Sequence, residues 1–169
     1  CTDDTACNYD PEATVDDGSC AYDGDICTCS LDGGIVNGDP ITGATTGAGD
    51  ADWYSFVVDA DYDNLVVSLD GSSFDTKLEV WGACDDDAYL GYNDDAPCGN
   101  FHSQVDLAFV TAGTYYAKVY GFGNGFGDYV LTITGWANPT GPVLTANGIP
   151  GAVALSWENV PTPDRAIAP

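Results

Sequence analysis

Basic residues are almost missing from this chain. Among 169 residues there are three, Lys77, Lys118 and Arg165, against 27 acids, and the formal net charge is -24. So strong an imbalance excludes a nucleic-acid backbone or an anionic membrane surface as partner, because either would add repulsion to a surface already negative. Glutamate is scarce as well: 24 of the acids are Asp, and only Glu12, Glu79 and Glu158 are Glu. A surface built for solubility would draw on both acids, and Glu is the better helix former. The bias to Asp points to turns, loops and oxygen cages for hard cations. Histidine occurs once, at His102, and methionine not at all. One histidine, with Cys27 and Cys29 lacking a matching second pair, leaves a zinc site short of ligands. It also leaves a Ser or Cys nucleophile without an oriented base. There is no Gly-rich phosphate loop, and paired carboxylates, the equipment of glycoside hydrolysis, are too abundant here to single out a pair. The chain is therefore expected to be non-enzymatic. No apolar run approaches the roughly 20 residues that span a bilayer, and no charged stretch followed by an apolar one reads as a signal peptide. The opening on Cys1 and the stop on Pro169 in mid-pattern are expected of a processed product or a piece of something longer.

What is present is a core-forming composition, 44% hydrophobic and 12% aromatic, enough for one compact domain with a smaller appendage. Seven cysteines in so small and acidic a chain read as disulfides made outside the reducing cytosol. Residues 1 to 32 hold five of them with nine carboxylates, no Lys or Arg, and no apolar periodicity, a stapled loop region. Residues 33 to 136 change to short alternating runs separated by Gly, Asp and Asn, the pattern of an all-β sandwich. Strands are expected at 53–59, 64–70, 77–81, 89–92, 104–110, 114–120 and 129–134. Period two sets Leu65, Val67 and Leu69 on one face, and likewise Val105, Leu107 and Phe109, each an inward set. Residues 137 to 169 open with a stiff linker carrying Pro139 and Pro142 and continue as two strands, which do not make a stable domain alone.

The N-terminal text "CTDDTACNYDPEATVDDGSC" closely resembles a Cys- and Asp-rich repeat of large secreted surface proteins of Bacteroidetes-type bacteria, and more distantly the calcium-binding type 3 repeats of thrombospondin. The motifs "DADWYSFVV", "GSSFDTKLEVW", "LGYNDDAPC", "SQVDLAFVTAGTYYAKVYGF" and "GDYVLTITG" resemble, in order, the bacterial pre-peptidase C-terminal domain. That resemblance implies a jelly-roll-like antiparallel β-sandwich. "PVLTANGIPGAVALSW" is similar to the first two strands of a fibronectin type III domain.

Calcium is the expected ligand, since closely spaced Asp and Asn with intervening carbonyls supply the six to eight oxygens it takes. In the calcium-binding N-terminal loop region the candidates are Asp3, Asn8, Asp10, Asp16 and Asp17, with Glu12 and the Thr14 carbonyl as additions. Ala13 stands where an EF-hand loop needs Gly, so this is no EF-hand. The sandwich resemblance places Asp75 near the turn carrying Asn93, Asp94 and Asp95, a second candidate site. Cys84 and Cys98 flank that turn and are the preferred disulfide, a loop of about 15 residues being worth about 3 kcal/mol. The pairing among Cys1, Cys7, Cys20, Cys27 and Cys29 stays open. Thr5, in "DTA", resembles a Bacteroidetes O-glycosylation acceptor. His102, beside Phe101, is expected to be solvated.

Tyr54, Tyr92, Tyr115, Tyr116, Tyr120, Phe122, Phe126 and Trp136 include several that must face outward, an aromatic row able to stack on sugar rings or bury against a neighbour. Two functions follow. One is an extracellular, cell-surface structural or adhesive module, self-assembling into a filament through strands lent to the next subunit. The other is a non-catalytic polysaccharide- or substrate-binding accessory domain of a secreted hydrolase.

Overall fold

The computed structural model describes residues 1–96, 101–137, 144–149 and 152–157. They form eleven strands: β1 Leu31–Ile35, β2 Ile41–Ala44, β3 Ala51–Val58, β4 Tyr62–Ser68, β5 Thr76–Trp81, β6 Tyr89–Asn93, β7 Gln104–Val110, β8 Gly113–Gly121, β9 Asp128–Trp136, β10 Leu144–Ile149 and β11 Ala152–Trp157. Two short 3-10 turns, Cys27–Cys29 and Asp86–Ala88, are the helical elements among the described residues. All seven expected sandwich strands are present, each within a few residues of its predicted bounds.

A five-stranded sheet in the order β1-β3-β8-β5-β6 faces a four-stranded sheet in the order β2-β9-β4-β7, and this all-β sandwich closes on one core. The pairs are antiparallel except β1 with β3. Phe56, Val58, Leu78, Val80 and Val119 come in from the larger sheet and Leu65, Val67, Leu131 and Tyr129 from the smaller, all buried. Fully burying each such side chain contributes about 1.5–3 kcal/mol, which is what fixes the alternation of β3, β4 and β5.

Three expectations are corrected by the backbone. Strand β1 lies in text read as mostly loop, and the boundary drawn after residue 32 falls inside it. Its partner β3 comes so close that a Cβ on Gly33 would sit 2.8 Å from the Ser55 carbonyl oxygen. Phe109 does not join Val105 in the core: its φ is +56°, in the left-handed region, and the flipped backbone leaves it 81% exposed while Val110 turns in. Cys84 pairs with Cys27, not Cys98, because the start of the β5–β6 connection lies beside the Cys27–Cys29 turn; Cys98 lies outside the described residues.

Two further bonds, Cys1–Cys20 and Cys7–Cys29, staple the first segment. It is tied to the sandwich through Cys27–Cys84 and through the Trp53 amide, which donates to the Gly24 carbonyl at 2.9 Å. Cys1–Trp136 form one compact unit and Ala137–Pro169 a second. In the second, β10 and β11 are the two expected strands, antiparallel with Leu144 opposite Trp157. Pro139 and Pro142 of the linker lie outside the described residues.

Candidate ligand-binding face

In β3 the buried residues are Tyr54, Phe56 and Val58, in β5 Thr76, Leu78 and Val80, and in β8 Ala117 and Val119. Period two therefore turns Trp53, Lys77, Glu79, Trp81, Tyr116, Lys118 and Tyr120 to the other face of the five-stranded sheet. Register then aligns them in rows across the strands. Trp53, Lys118, Glu79 and Tyr92 stand opposite one another through β3, β8, β5 and β6. Ser55, Tyr116, Trp81 and Tyr89 make the neighbouring row. At about 4.8 Å between strands a four-residue row is about 14 Å long.

The two lysines sit among rings. Lys77 Nζ lies 5.4 Å from the centroids of Tyr92, Tyr120 and Phe122. Lys118 Nζ lies 5.4 Å from Trp53 and 5.0 Å from Tyr120. Each such contact contributes about 0.5–1 kcal/mol at exposed sites. Glu79 joins the web by accepting from the Tyr120 hydroxyl at 2.7 Å and from Trp81 Nε1 at 3.2 Å. Burial first, and then this hydrogen bond and the Glu79 charge, hold the Tyr120 hydroxyl above the usual tyrosine range. Burial is also the leading cause that raises Tyr89 and Tyr92. Trp81 packs its ring on Trp53 at 5.9 Å and edge-on to Tyr89 at 5.1 Å. Tyr89, Tyr92 and Phe122 remain exposed. The face thus offers ring surfaces already fixed in place, with ammonium donors between them, which is binding chemistry.

The aromatics named from the sequence divide. Tyr92, Tyr120 and Phe122 belong to this web, whereas Tyr54 is in the core and Tyr115 packs against it. Trp53, Trp81, Tyr89 and both lysines were not among the candidate site residues, although the alternation of "TKLEVW" against its buried Thr76, Leu78 and Val80 is the signal that places Lys77, Glu79 and Trp81 together.

The cation candidates fall in two places. In the first segment four of the candidate carboxylates accept from their own turns: Asp3 from the Thr5 amide and hydroxyl, Asp10 from the Glu12 amide, Asp16 from the Gly18 amide and Asp17 from the Ser19 amide. The Thr5 amide, then the Tyr22 and Thr5 hydroxyls, hold the Asp3 carboxyl below the ordinary range, and the Ser19 side chain, then its amide, do the same for Asp17. Asn8 ties Ser19 to Ala21 through both ends of its amide. In the sandwich Asp75, Asp94 and Asp95 do come together, lining a cavity of about 180 Å³ with Phe101 and Phe122. Burial, then Asp95 and Asp94, push the Asp75 carboxyl up. Asn93 is occupied elsewhere, accepting from the Gln104 amide. Among the described residues no three acidic, His or Cys side chains converge as a metal cage. Thr5 is exposed, its hydroxyl donating to Asp3. His102 is only partly exposed; its Nδ1 lies 3.3 Å from Asp70 Oδ1, beside a groove on the other sheet that Trp136, Thr132 and Thr134 also line.

No protein-family description matches this chain, and no curated protein does. Among solved structures it is similar to the pre-peptidase C-terminal domain of a Bacillus anthracis collagenase, at 20% identity and a TM-score of 0.48, over 62% of this chain and 97% of that one. It is also similar to PliG of Aeromonas hydrophila, a periplasmic inhibitor of g-type lysozyme, at 21% identity and a TM-score of 0.42, over 62% of this chain and 98% of that one. No helix among the described residues is long and apolar enough to cross a membrane.

Proposed function

We propose that the chain is a non-catalytic extracellular adhesive module that takes a neutral polysaccharide on the outer face of its five-stranded sheet. The observation that carries this reading is the web in which Lys77 and Lys118 are held among four aromatic rings, Trp53, Tyr92, Tyr120 and Phe122, on one face. Rings so held lose little conformational freedom on binding, and a row about 14 Å long suits several consecutive sugars. A polyanion would meet a chain of net charge -24, so the ligand is neutral. Three disulfides support the extracellular setting. The order β2-β9-β4-β7 against β3-β8-β5-β6 supports reading the sandwich as jelly-roll-like, two interleaved Greek keys with β1 added. Ca²⁺ is proposed at the Asp75, Asp94 and Asp95 cavity, where a cation would offset both the burial and the repulsion from Asp95 and Asp94 that raise Asp75.

Affinity electrophoresis of the native chain through gels containing soluble β-glucan, xylan or mannan tests the reading. At least one polymer is expected to retard it, and Tyr92→Ala with Phe122→Ala to restore free migration. Unretarded migration in all three, or retardation unchanged in the double variant, overturns it.

A second reading, assembly into a filament, is favoured by the β10–β11 pair, whose two strands form the only sheet of their unit among the described residues. A lone hairpin is marginal in water, and another copy could complete its sheet. Light scattering of the full chain, showing growth that removal of residues 137–169 abolishes, is the expected result; a monomer at all concentrations removes this reading.

A further inference from the structure

The rings of Trp53 and Trp81 are tilted 52° to one another with centroids 5.9 Å apart, so they open as a wedge rather than stacking shut. Both rings line a slot of about 290 Å³, together with Lys118, Asp85 and both halves of the Cys27–Cys84 disulfide. Its size sits at the foot of the range for small-molecule pockets, about 300–1,000 Å³, so it suits one ring rather than an extended ligand. The two walls come from different parts of the chain. Asp85 is set by its own loop: its carboxylate accepts from the Asp87 amide, and the Gly82 amide closes the loop on the Ala88 carbonyl at 2.8 Å. Cys27 arrives from the N-terminal segment, which the Trp53 amide anchors at Gly24. The Cys27–Cys84 disulfide joins the two sides across the slot.

The lining chooses the occupant. The Lys118 ammonium already lies 5.4 Å from the Trp53 ring, in the place a cation would take on the indole, and Asp85 together with a net charge of -24 disfavours an anion. A wholly apolar guest would strip water from the ammonium and the carboxylate without replacing their hydrogen bonds. What remains is a neutral ring with a flat apolar face for the indoles and hydroxyls for Lys118 and Asp85, which is a pyranose.

We infer that this slot is a pyranose subsite whose wall is the Cys27–Cys84 bond, so that saccharide affinity depends on that bond being closed. The inference rests on the reading of the sheet face as saccharide-binding and gives it an anchoring point. It also assigns the N-terminal segment a part in recognition, beyond holding itself together.

Titration calorimetry of the full chain with cellohexaose, xylohexaose and mannohexaose selects the best probe, which is then used throughout. Trp81→Leu, Lys118→Met and the pair Cys27→Ser with Cys84→Ser are each expected to weaken binding at least tenfold, while Trp136→Ala on the other sheet binds as the native chain does. Should the disulfide-free protein not melt cooperatively, Ala83→Leu fills the slot with the bond intact and is expected to lose binding equally. Slot variants within threefold of the native affinity, alongside loss in Tyr92→Ala, overturn the inference and leave the face reading standing. A native chain that binds none of the three hexasaccharides overturns both.

Discussion

Replacing Tyr129 by Phe removes one oxygen atom and should cost more than any comparable deletion in the core. Tyr129 is fully buried, and its hydroxyl donates to Asp52 Oδ2. Its oxygen also lies 2.7 Å from that of Tyr54, itself buried. A hydroxyl has one proton, so with that of Tyr129 committed to Asp52, the Tyr54 proton must point at Tyr129. Phe at 129 therefore loses a bond to a carboxylate, worth about 1.5–3 kcal/mol net, and strands the Tyr54 donor, worth about 1–3 kcal/mol. Asp52 is only half buried and recovers part of the first sum from water, leaving about 2–3 kcal/mol. Tyr54→Phe strands nothing and should cost about 1 kcal/mol. The double variant should cost less than the sum of the two by about 1 kcal/mol, because the stranded donor is gone. Urea unfolding at constant m-value measures all four corners of the cycle.

The pH dependence has a definite sign. Burial raises the Asp52 carboxyl above its ordinary 3.8, and the Tyr129 hydrogen bond partly opposes that rise. A carboxyl raised in the folded state contributes stability in acid, lost as pH climbs from 3.8 through the folded value. Tyr129→Phe removes the opposing bond, raises Asp52 further, and so should cost more at pH 7 than at pH 4. A variant within 0.5 kcal/mol of the native protein, additivity in the cycle, or a cost that grows toward acid would each refute this chain of hydrogen bonds.

Three further outcomes are expected. A Cβ on Gly43 would fall on the Tyr129 ring and hydroxyl, so Gly43→Ala should lower stability by about 1–3 kcal/mol through overpacking, read as a lower melting temperature by calorimetry. Tyr54, Tyr120 and Tyr129 are all held above the ordinary 10.0, burial being the leading cause in each; their contribution is intact below pH 10 and lost as pH rises through their folded values. Stability should therefore fall steadily above pH 10, and ultraviolet titration of the folded chain should show these phenols ionising last. Excess chelator should lower the melting temperature relative to millimolar Ca²⁺, and Asp94→Asn with Asp95→Asn should abolish the difference; equal melting temperatures for the native chain remove the calcium proposal.

The sandwich strands were legible because antiparallel sheets with one wet face write their burial as period two; β5 follows it throughout and β3 from Trp53 on, while β4 keeps it through Leu65, Val66 and Val67 and loses it at the buried Ser68. Strand β1 was not, since two glycines in five residues leave no alternation to see. The Cys84 partner was misjudged for a different reason. Loop-closure cost grows only with the logarithm of length, so nearness in sequence to Cys98 is a weak guide beside nearness in space. That Cys27, 57 residues away, is the neighbour of Cys84 depends on β1 and β3 pairing in parallel at the edge of the sheet. The aromatic web needed the same missing knowledge. Which of Trp53, Lys77, Trp81 and Lys118 face outward can be read from their strands, but that they form rows depends on the order β3-β8-β5-β6.

The preference for Asp over Glu is where sequence and structure meet most directly. Asp3, Asp10, Asp16, Asp17, Asp32 and Asp85 each accept a hydrogen bond from the backbone amide two residues later. This is the Asx-turn geometry, which the short Asp side chain closes and which competes with regular structure. Glu, one methylene longer, does not close the same ring. A chain of short strands joined by many turns therefore accumulates negative charge as a by-product of turn chemistry, before any ligand is considered. The cost is a surface that repels itself, which the two lysines of the sandwich offset only locally, Lys77 at Asp75 and Lys118 opposite Glu79. Both lysines stand among aromatic rings on one sheet face, and on that placement the proposed saccharide face rests.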